Sequence, residues 1–247
     1  METQIQYKTT AKDFFINLGA IVALYTSVVS LVNLLFTVIN TAYPQVTNGY
    51  TYFGSSTISW PVATLIIFFP IFMFLMWLLE KDYRVFPEKQ NGGIHRWLTY
   101  ITLFIAGLVM AMDLITVLYY FLDGQELTTG FILKVLVLLI VASGIFSYYL
   151  YDVLGKLNPQ KRNIYRISAC LVILSSIVWG FTVLCSPRTQ RLYKYDEQKV
   201  NDLMNISNEV NNFYSINGKL PKDLSELAVN YYIPLNDNET GKPYEYE

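Results

Sequence analysis

The chain has 247 residues, of which 53% are hydrophobic, 16% aromatic and only 15% charged, with a formal net charge of −1 at pH 7. That balance fits a water-soluble globular class poorly, and it offers no excess of positive charge for nucleic acid. The apolar surplus is concentrated: no charged side chain stands between Asp13 and Glu80, a gap that a water-facing surface rarely tolerates and that two bilayer crossings explain.

Five apolar runs, at 14–40, 60–79, 97–122, 127–151 and 164–185, reach the roughly 20 residues a helix needs to cross a hydrocarbon core about 30 Å thick. Helices are expected because open strands leave backbone groups unpaired in lipid, and the alternation of barrel strands is missing. The predicted fold is an all-α polytopic membrane protein. A bundle of five transmembrane helices fills residues 1–187, and a small α+β extracytoplasmic segment fills 188–247.

The first run is too long for a cleavable signal peptide and is interrupted by Asn17, Asn33 and Asn40, so it is expected to stay in the mature protein. Tyr43, Tyr50, Tyr52 and Trp60 follow, amphipathic rings suited to headgroup depth. Pro70 falls in the middle of the second run, where a missing N–H bends a helix; it is a candidate hinge, with a packing bend as the plainer reading. The loop 80–96 holds Lys81, Arg84, Lys89 and Arg96 and the single histidine, His95, expected to be a solvated loop side chain.

The third and fourth runs carry the ionisable groups nearest mid-membrane, Asp113 and Lys134. A short turn, Leu122-Asp123-Gly124-Gln125-Glu126, joins the two runs, and counting from it puts both side chains roughly 10 to 14 Å deep. An isolated charge there costs at least about 2.5 kcal/mol, so an intramembrane Asp113–Lys134 ion pair is expected. Its role is either a static pair fixing the hairpin or part of an ion or proton relay. Asp152 lies five helical turns after Lys134 on the same stripe and is a candidate relay member, although nothing polar stands between Lys134 and Ser143.

The loop 152–165 carries Lys156, Lys161 and Arg162, whereas 41–59 and 123–126 carry no Lys or Arg. Basic loops stay cytoplasmic, giving an N-in, C-out orientation. The fifth run contains Ser168, Ala169, Ser175, Ser176 and Gly180, small residues that let helices approach closely. Cys170 and Cys185 share that run fifteen positions apart, too far to bridge each other in one helix.

Beyond it, Val200, Leu203, Ile206, Val210, Phe213 and Tyr214 recur at helical spacing, predicting an amphipathic helix of about five turns. Asn217-Gly218 is its expected C-cap, Asp223 the N-cap of a short helix over 224–228, and Pro234 and Thr240-Gly241-Lys242-Pro243 mark turns around one or two extended pieces.

Two resemblances emerge from these residues. Phe213-Tyr214, Asn217-Gly218-Lys219-Leu220-Pro221, Leu224, Leu227, Asp237, Thr240-Gly241-Lys242-Pro243-Tyr244 and Tyr246 resemble the periplasmic part of type II secretion pseudopilins and type IV pilin-like proteins, over about 203–247. Asn238 replaces the usual proline, and the preceding helix lacks the cleavage motif with its glutamate. The resemblance therefore implies extracytoplasmic protein contact and not filament assembly. Separately, Ala11-Lys12-Asp13-Phe14-Phe15, the stretch from Trp97 through Gly107, Asp113-Leu114-Ile115 and Phe131-Ile132-Leu133-Lys134-Val135-Leu136 are similar to an uncharacterised family of bacterial membrane domains, over about 11–155. It implies the architecture and no activity.

No catalytic constellation, phosphate loop or set of paired metal ligands is found, so no enzyme activity, metal or cofactor is expected. The expected function is an envelope interaction or scaffold protein of the bacterial inner membrane, multi-pass, presenting its tail at 188–247 to an extracytoplasmic protein partner. The alternative is an ion or proton channel or transporter using Asp113 and Lys134. The lipid bilayer is the other expected partner, and nucleic acid is not expected.

Overall fold

The computed structural model describes residues 11–43, 58–86, 92–183, 187–227 and 235–246. Tyr50, Tyr52, Lys89, Cys185 and Pro234 lie outside them. The described chain forms helices α1 (Ala11–Ala42), α2 (Ser59–Val85), α3 (Gly93–Leu122), α4 (Thr129–Val153), α5 (Pro159–Val183) and α6 (Pro187–Asn217), then a 3₁₀ turn at Leu224–Glu226. It divides into two compact units, α1–α5 and the segment beginning with α6.

The first five helices are each long and apolar enough to cross a bilayer. Their ends do not coincide with the ends of the apolar runs. α2 continues through Glu80 to Val85, α3 starts at Gly93 and takes in His95, and α5 starts at Pro159 and takes in Arg162 and Arg166. Pro159 stands where a missing N–H costs nothing, and Asn158 Oδ1 accepts from the Lys161 amide at 3.0 Å. At α4 the Thr128 hydroxyl accepts from the Phe131 amide, which sets the helix start at 129. α2 passes unbroken through Pro70.

α1 is the centre of the bundle. Its apolar window is 44% buried within the protein, against 11 to 17% for the other four helices, which turn most of their apolar surface outward as lipid requires. The core is built on Leu31, Leu34, Leu35 and Val38 of α1, with Val62 and Leu65 of α2 and Ile173 of α5. Of the small residues of α5, Ser176 and Gly180 lie in the packed stripe, while Ser168 and Ser175 are exposed. A Cβ on Gly180 would come within 3.0 Å of Leu34 Cδ1, so the absent side chain is what permits this approach of α5 to α1.

Side-chain contacts fix the register of α3 against α4. A Cβ on Gly107 would lie 3.5 Å from the Phe146 ring, Ser143 Oγ reaches Met110 Sδ at 3.9 Å, and Tyr120 stacks on Phe131 at 4.4 Å between centroids. The helices are therefore antiparallel, and α1, α3 and α5 begin at the same end of the bundle where α2 and α4 finish.

The second unit differs from the expected α+β segment. α6 is 31 residues long, well beyond five turns, and no strand forms among the described residues. The predicted extended pieces reduce to a single antiparallel bridge, Asn236 with Pro243. The turn between them is tight: the Asp237 amide donates to the Lys242 carbonyl at 2.8 Å and the Tyr244 amide to the Leu235 carbonyl at 2.9 Å, with Gly241 at φ 69°. The caps follow the sequence, with Gly218 at φ 66° donating to Tyr214 and Asp223 accepting from Ser225. Ile206, Leu224 and Leu227 form a small core with Val210, Phe213, Leu235, Tyr244 and Tyr246 around it.

Candidate functional site

The end of the bundle where α1, α3 and α5 start holds a polar cluster to which all five helices contribute. Because the helices run up and down, residues far apart in sequence reach one depth there: Asn17, Glu80, Tyr83, His95, Asp152, Arg162 and Arg166. His95 is its hub. Nε2 lies 3.0 Å from Asp152 Oδ2, Nδ1 lies 3.1 Å from the Tyr83 hydroxyl, and Nδ1 lies 3.3 Å from Asn17 Oδ1. Tyr83 in turn donates to Asn17 Oδ1 at 3.3 Å.

Hydrogen-bond chemistry orders these contacts. Asn17 donates through Nδ2 to the Asp13 carbonyl at 2.9 Å, which turns its oxygen toward His95 and Tyr83. An ionised Asp152 only accepts, so Nε2 carries the proton. In the neutral ring Nδ1 then accepts from the Tyr83 hydroxyl. In the imidazolium, Nδ1–H donates to Asn17 Oδ1, and the Tyr83 hydroxyl turns its proton from Nδ1 to that same oxygen.

Beside it, Glu80 is buried and accepts from Arg166 Nη2, with Arg162 Nε 3.5 Å away. A carboxylate at this depth requires such compensation. Asn17, Glu80, Tyr83, His95, Asp152 and Arg162 line a hollow of about 510 Å³ that is open to solvent, together with Ala20, Leu98, Thr99, Tyr148 and Tyr149. Asn17, Leu79, Tyr83 and His95 also border a second hollow of about 370 Å³, so the Tyr83–His95–Asn17 layer stands between the two. One turn further along α3, Thr102 is fully buried and accepts from the Tyr25 hydroxyl at 3.2 Å. Among the described residues no group of His, Cys, Asp and Glu is placed to hold a metal ion.

The residues singled out from the sequence are distributed differently from expectation. Asp113 and Lys134 form no ion pair. Asp113 is 7% exposed and its Oδ2 has no hydrogen-bond partner, while Lys134 is half-buried. The register places Asp113 level with Leu139 and Ile140, and Lys134 level with Leu118 and Tyr119, about five residues or roughly 8 Å apart along the axis. Moreover, Cβ atoms tilt toward the N-terminus of their own helix, so in antiparallel helices Asp113 leans away from the connecting turn and Lys134 leans toward it. The equal-depth expectation failed because α4 starts at 129, which leaves Lys134 only five residues inside the helix.

Asp152, expected on a stripe with Lys134, is instead engaged with His95. His95 is no solvated loop residue: it sits in the first turns of α3 with partners on α1, α2 and α4. The signal for this was present, since the charged ends of α2 and α4 and the starts of α3 and α5 must share one depth in an up-and-down bundle.

Five helices long and apolar enough to cross a bilayer, four of them packed around α1, mark the class of multi-pass helical membrane proteins. The family model described as Domain of unknown function (DUF5671) matches residues 13–151, and the chain belongs to that family. The matched span holds Asn17, Glu80, Tyr83 and His95, and stops one residue short of Asp152. No curated protein and no solved structure matches the chain.

Proposed function

We propose that the protein is an envelope interaction protein, whose helices sit in the bacterial inner membrane with the start of α1 in the cytoplasm and whose tail meets a protein partner outside. The observation that carries this reading is the second unit itself: it has its own small core around Ile206, Leu224 and Leu227 yet follows directly on a bilayer-length helix. Lys81, Arg84, Arg96, Lys156, Lys161 and Arg162 cluster at the end where α1 begins, which favours that end as cytoplasmic. The opposite turn between α3 and α4 carries Asp123 and Glu126 and no base. The resemblance of 203–247 to pilin-like periplasmic modules supports an extracytoplasmic contact role.

Two experiments test the parts separately. A single cysteine at Ser215, with Cys170 and Cys185 replaced, should react with a membrane-impermeant maleimide in intact spheroplasts; protection until lysis contradicts the orientation. Photocrosslinkers at exposed positions of α6 such as Leu203 and Tyr214 should capture a protein in cells, and repeated capture of nothing contradicts the contact role.

A second reading, movement of ions or protons, is favoured by one observation, the buried carboxyl of Asp113 in mid-helix. Protein in liposomes should then show a flux that Asp113→Asn reduces. A folded protein with no flux under any ion or proton gradient removes that reading.

A further inference from the structure

We propose that Asp113 is a proton-binding site inside the bilayer, its carboxyl held as the neutral acid at neutral pH. The inference rests on α3 crossing the membrane and needs no transport. Asp113 lies nine residues from the end of α3 at Leu122, about 14 Å along the axis, and sixteen from Trp97, about 24 Å. Both ends of a hydrocarbon core about 30 Å thick are therefore distant. The side chain is buried, and one oxygen has no partner.

Three occupants compete for a carboxyl in that position. A basic side chain is the first, and among the described residues of α1, α2 and α4, the helices that contact α3, the only one at comparable depth is Lys134 of α4, which register and side-chain direction carry away. On α4 the residues level with Asp113 are Leu139 and Ile140. On α1 the contacts of Asn17 with His95 and of Tyr25 with Thr102 carry on to Phe36. The nearest titratable group of α1 toward the cluster is Tyr25, whose hydroxyl is already donated to Thr102.

A metal or alkali cation is the second occupant. It needs several oxygen ligands, and no metal-holding group of His, Cys, Asp and Glu exists among the described residues. A proton is the third, and it needs only the carboxyl itself. Leaving the group ionised and uncompensated in hydrocarbon is the costly state, so the proton is retained.

The consequence is a coupling. The neutral acid is compatible with the packed arrangement of α1, α3 and α4, whereas loss of the proton creates a charge that water, a cation or a displaced Lys134 must meet. Proton release from Asp113 is thereby tied to a change in helix packing or hydration at mid-membrane.

The test is infrared difference spectroscopy on the full chain in lipid vesicles at neutral pH, comparing wild type with Asp113→Asn and, in case the amide misfolds, with Asp113→Leu. The expected result is a protonated-carboxyl C=O band in wild type that both variants lose and that exchanges slowly in heavy water. Loss of a carboxylate stretch in place of that band overturns the proposal. A band that exchanges as fast as those of exposed carboxyls overturns the bilayer location. The absence of flux in liposomes bears on the transport reading alone.

Discussion

His95 Nε2 lies 3.0 Å from Asp152 Oδ2, so the start of α3 is tied to the end of α4 across 57 positions of sequence. The same ring touches Tyr83 of α2 and Asn17 of α1, which makes one imidazole the junction of four helices. Replacing His95 by Ala should lower the stability of the detergent-solubilised protein by about 2 kcal/mol, the cost of stranding a buried hydrogen-bonding group. Asp152→Asn should cost less, because the amide still accepts from Nε2–H. Thermal unfolding followed by circular dichroism ranks the two, and equal effects contradict the junction.

At Glu80 the order of effects is diagnostic. Its side chain is 10% exposed and faces both Arg162 and Arg166, the latter 32% exposed. Glu80→Gln leaves two guanidinium groups without their anion and should cost about 2 kcal/mol. Arg166→Gln leaves Arg162 in place and should cost clearly less. Chemical denaturation in mixed micelles measures both.

Gly180 sets how closely α5 approaches α1. Gly180→Leu drives a side chain into Leu34, itself fully buried, and should destabilise the bundle by about 1 to 3 kcal/mol. Gly180→Ala brings one carbon to 3.0 Å from Leu34 Cδ1 and 3.6 Å from Ile58 Cδ1 and should cost clearly less. The same unfolding assay separates them.

In the second unit, Asp237 accepts from the Glu239 amide at 2.9 Å and from the Thr240 hydroxyl at 2.8 Å, with Lys199 3.5 Å away. Burial pushes its carboxyl up, but the amide, the hydroxyl and the ammonium outweigh it, and the group is held below its ordinary value of 3.8. A depressed carboxyl contributes stability above the unfolded value that is lost as pH falls through the folded one, so the turn at 237–241 should loosen only in acid below that range. The Glu239 carboxylate raises Lys199 above 10.5, so its contribution is complete below that pH and fades only at higher alkalinity. An NMR titration of the Asp237 carboxyl checks the first sign: its midpoint should lie below 3.8 and move up in Lys199→Ala.

Asp113 and Lys134 should behave as independent sites. With no ion pair and no shared partner, Asp113→Asn and Lys134→Gln should add within about 0.5 kcal/mol in a double-mutant cycle. A coupling well above that restores the intramembrane pair.

The membrane architecture was legible because hydrocarbon thickness imposes a length on apolar runs, and Phe14 through Tyr151 obey it four times. Helix ends were less legible. Apolar runs mark where lipid begins, whereas Thr128, Asn158 and Pro159 mark where helices begin, and that difference, together with the opposed tilt of the two Cβ bonds, separates Lys134 from Asp113. The cluster at Glu80, His95 and Asp152 was missed for the same reason: these residues read as loop, and only continuous helices bring them together. In the tail, Asp223 and Gly218 were readable from capping chemistry, while among the described residues the expected extended pieces amount to the single bridge of Asn236 with Pro243.

The proposed envelope role requires that the tail meet a protein partner outside the membrane. The decisive measurement is photocrosslinking in cells from Leu203 and Tyr214 on the exposed face of α6, combined with impermeant quenching of the probes in intact spheroplasts. The account predicts a discrete crosslinked envelope protein from at least one of the two positions and full quenching from outside. Probes shielded until lysis, or accessible probes that capture nothing but lipid, would contradict it.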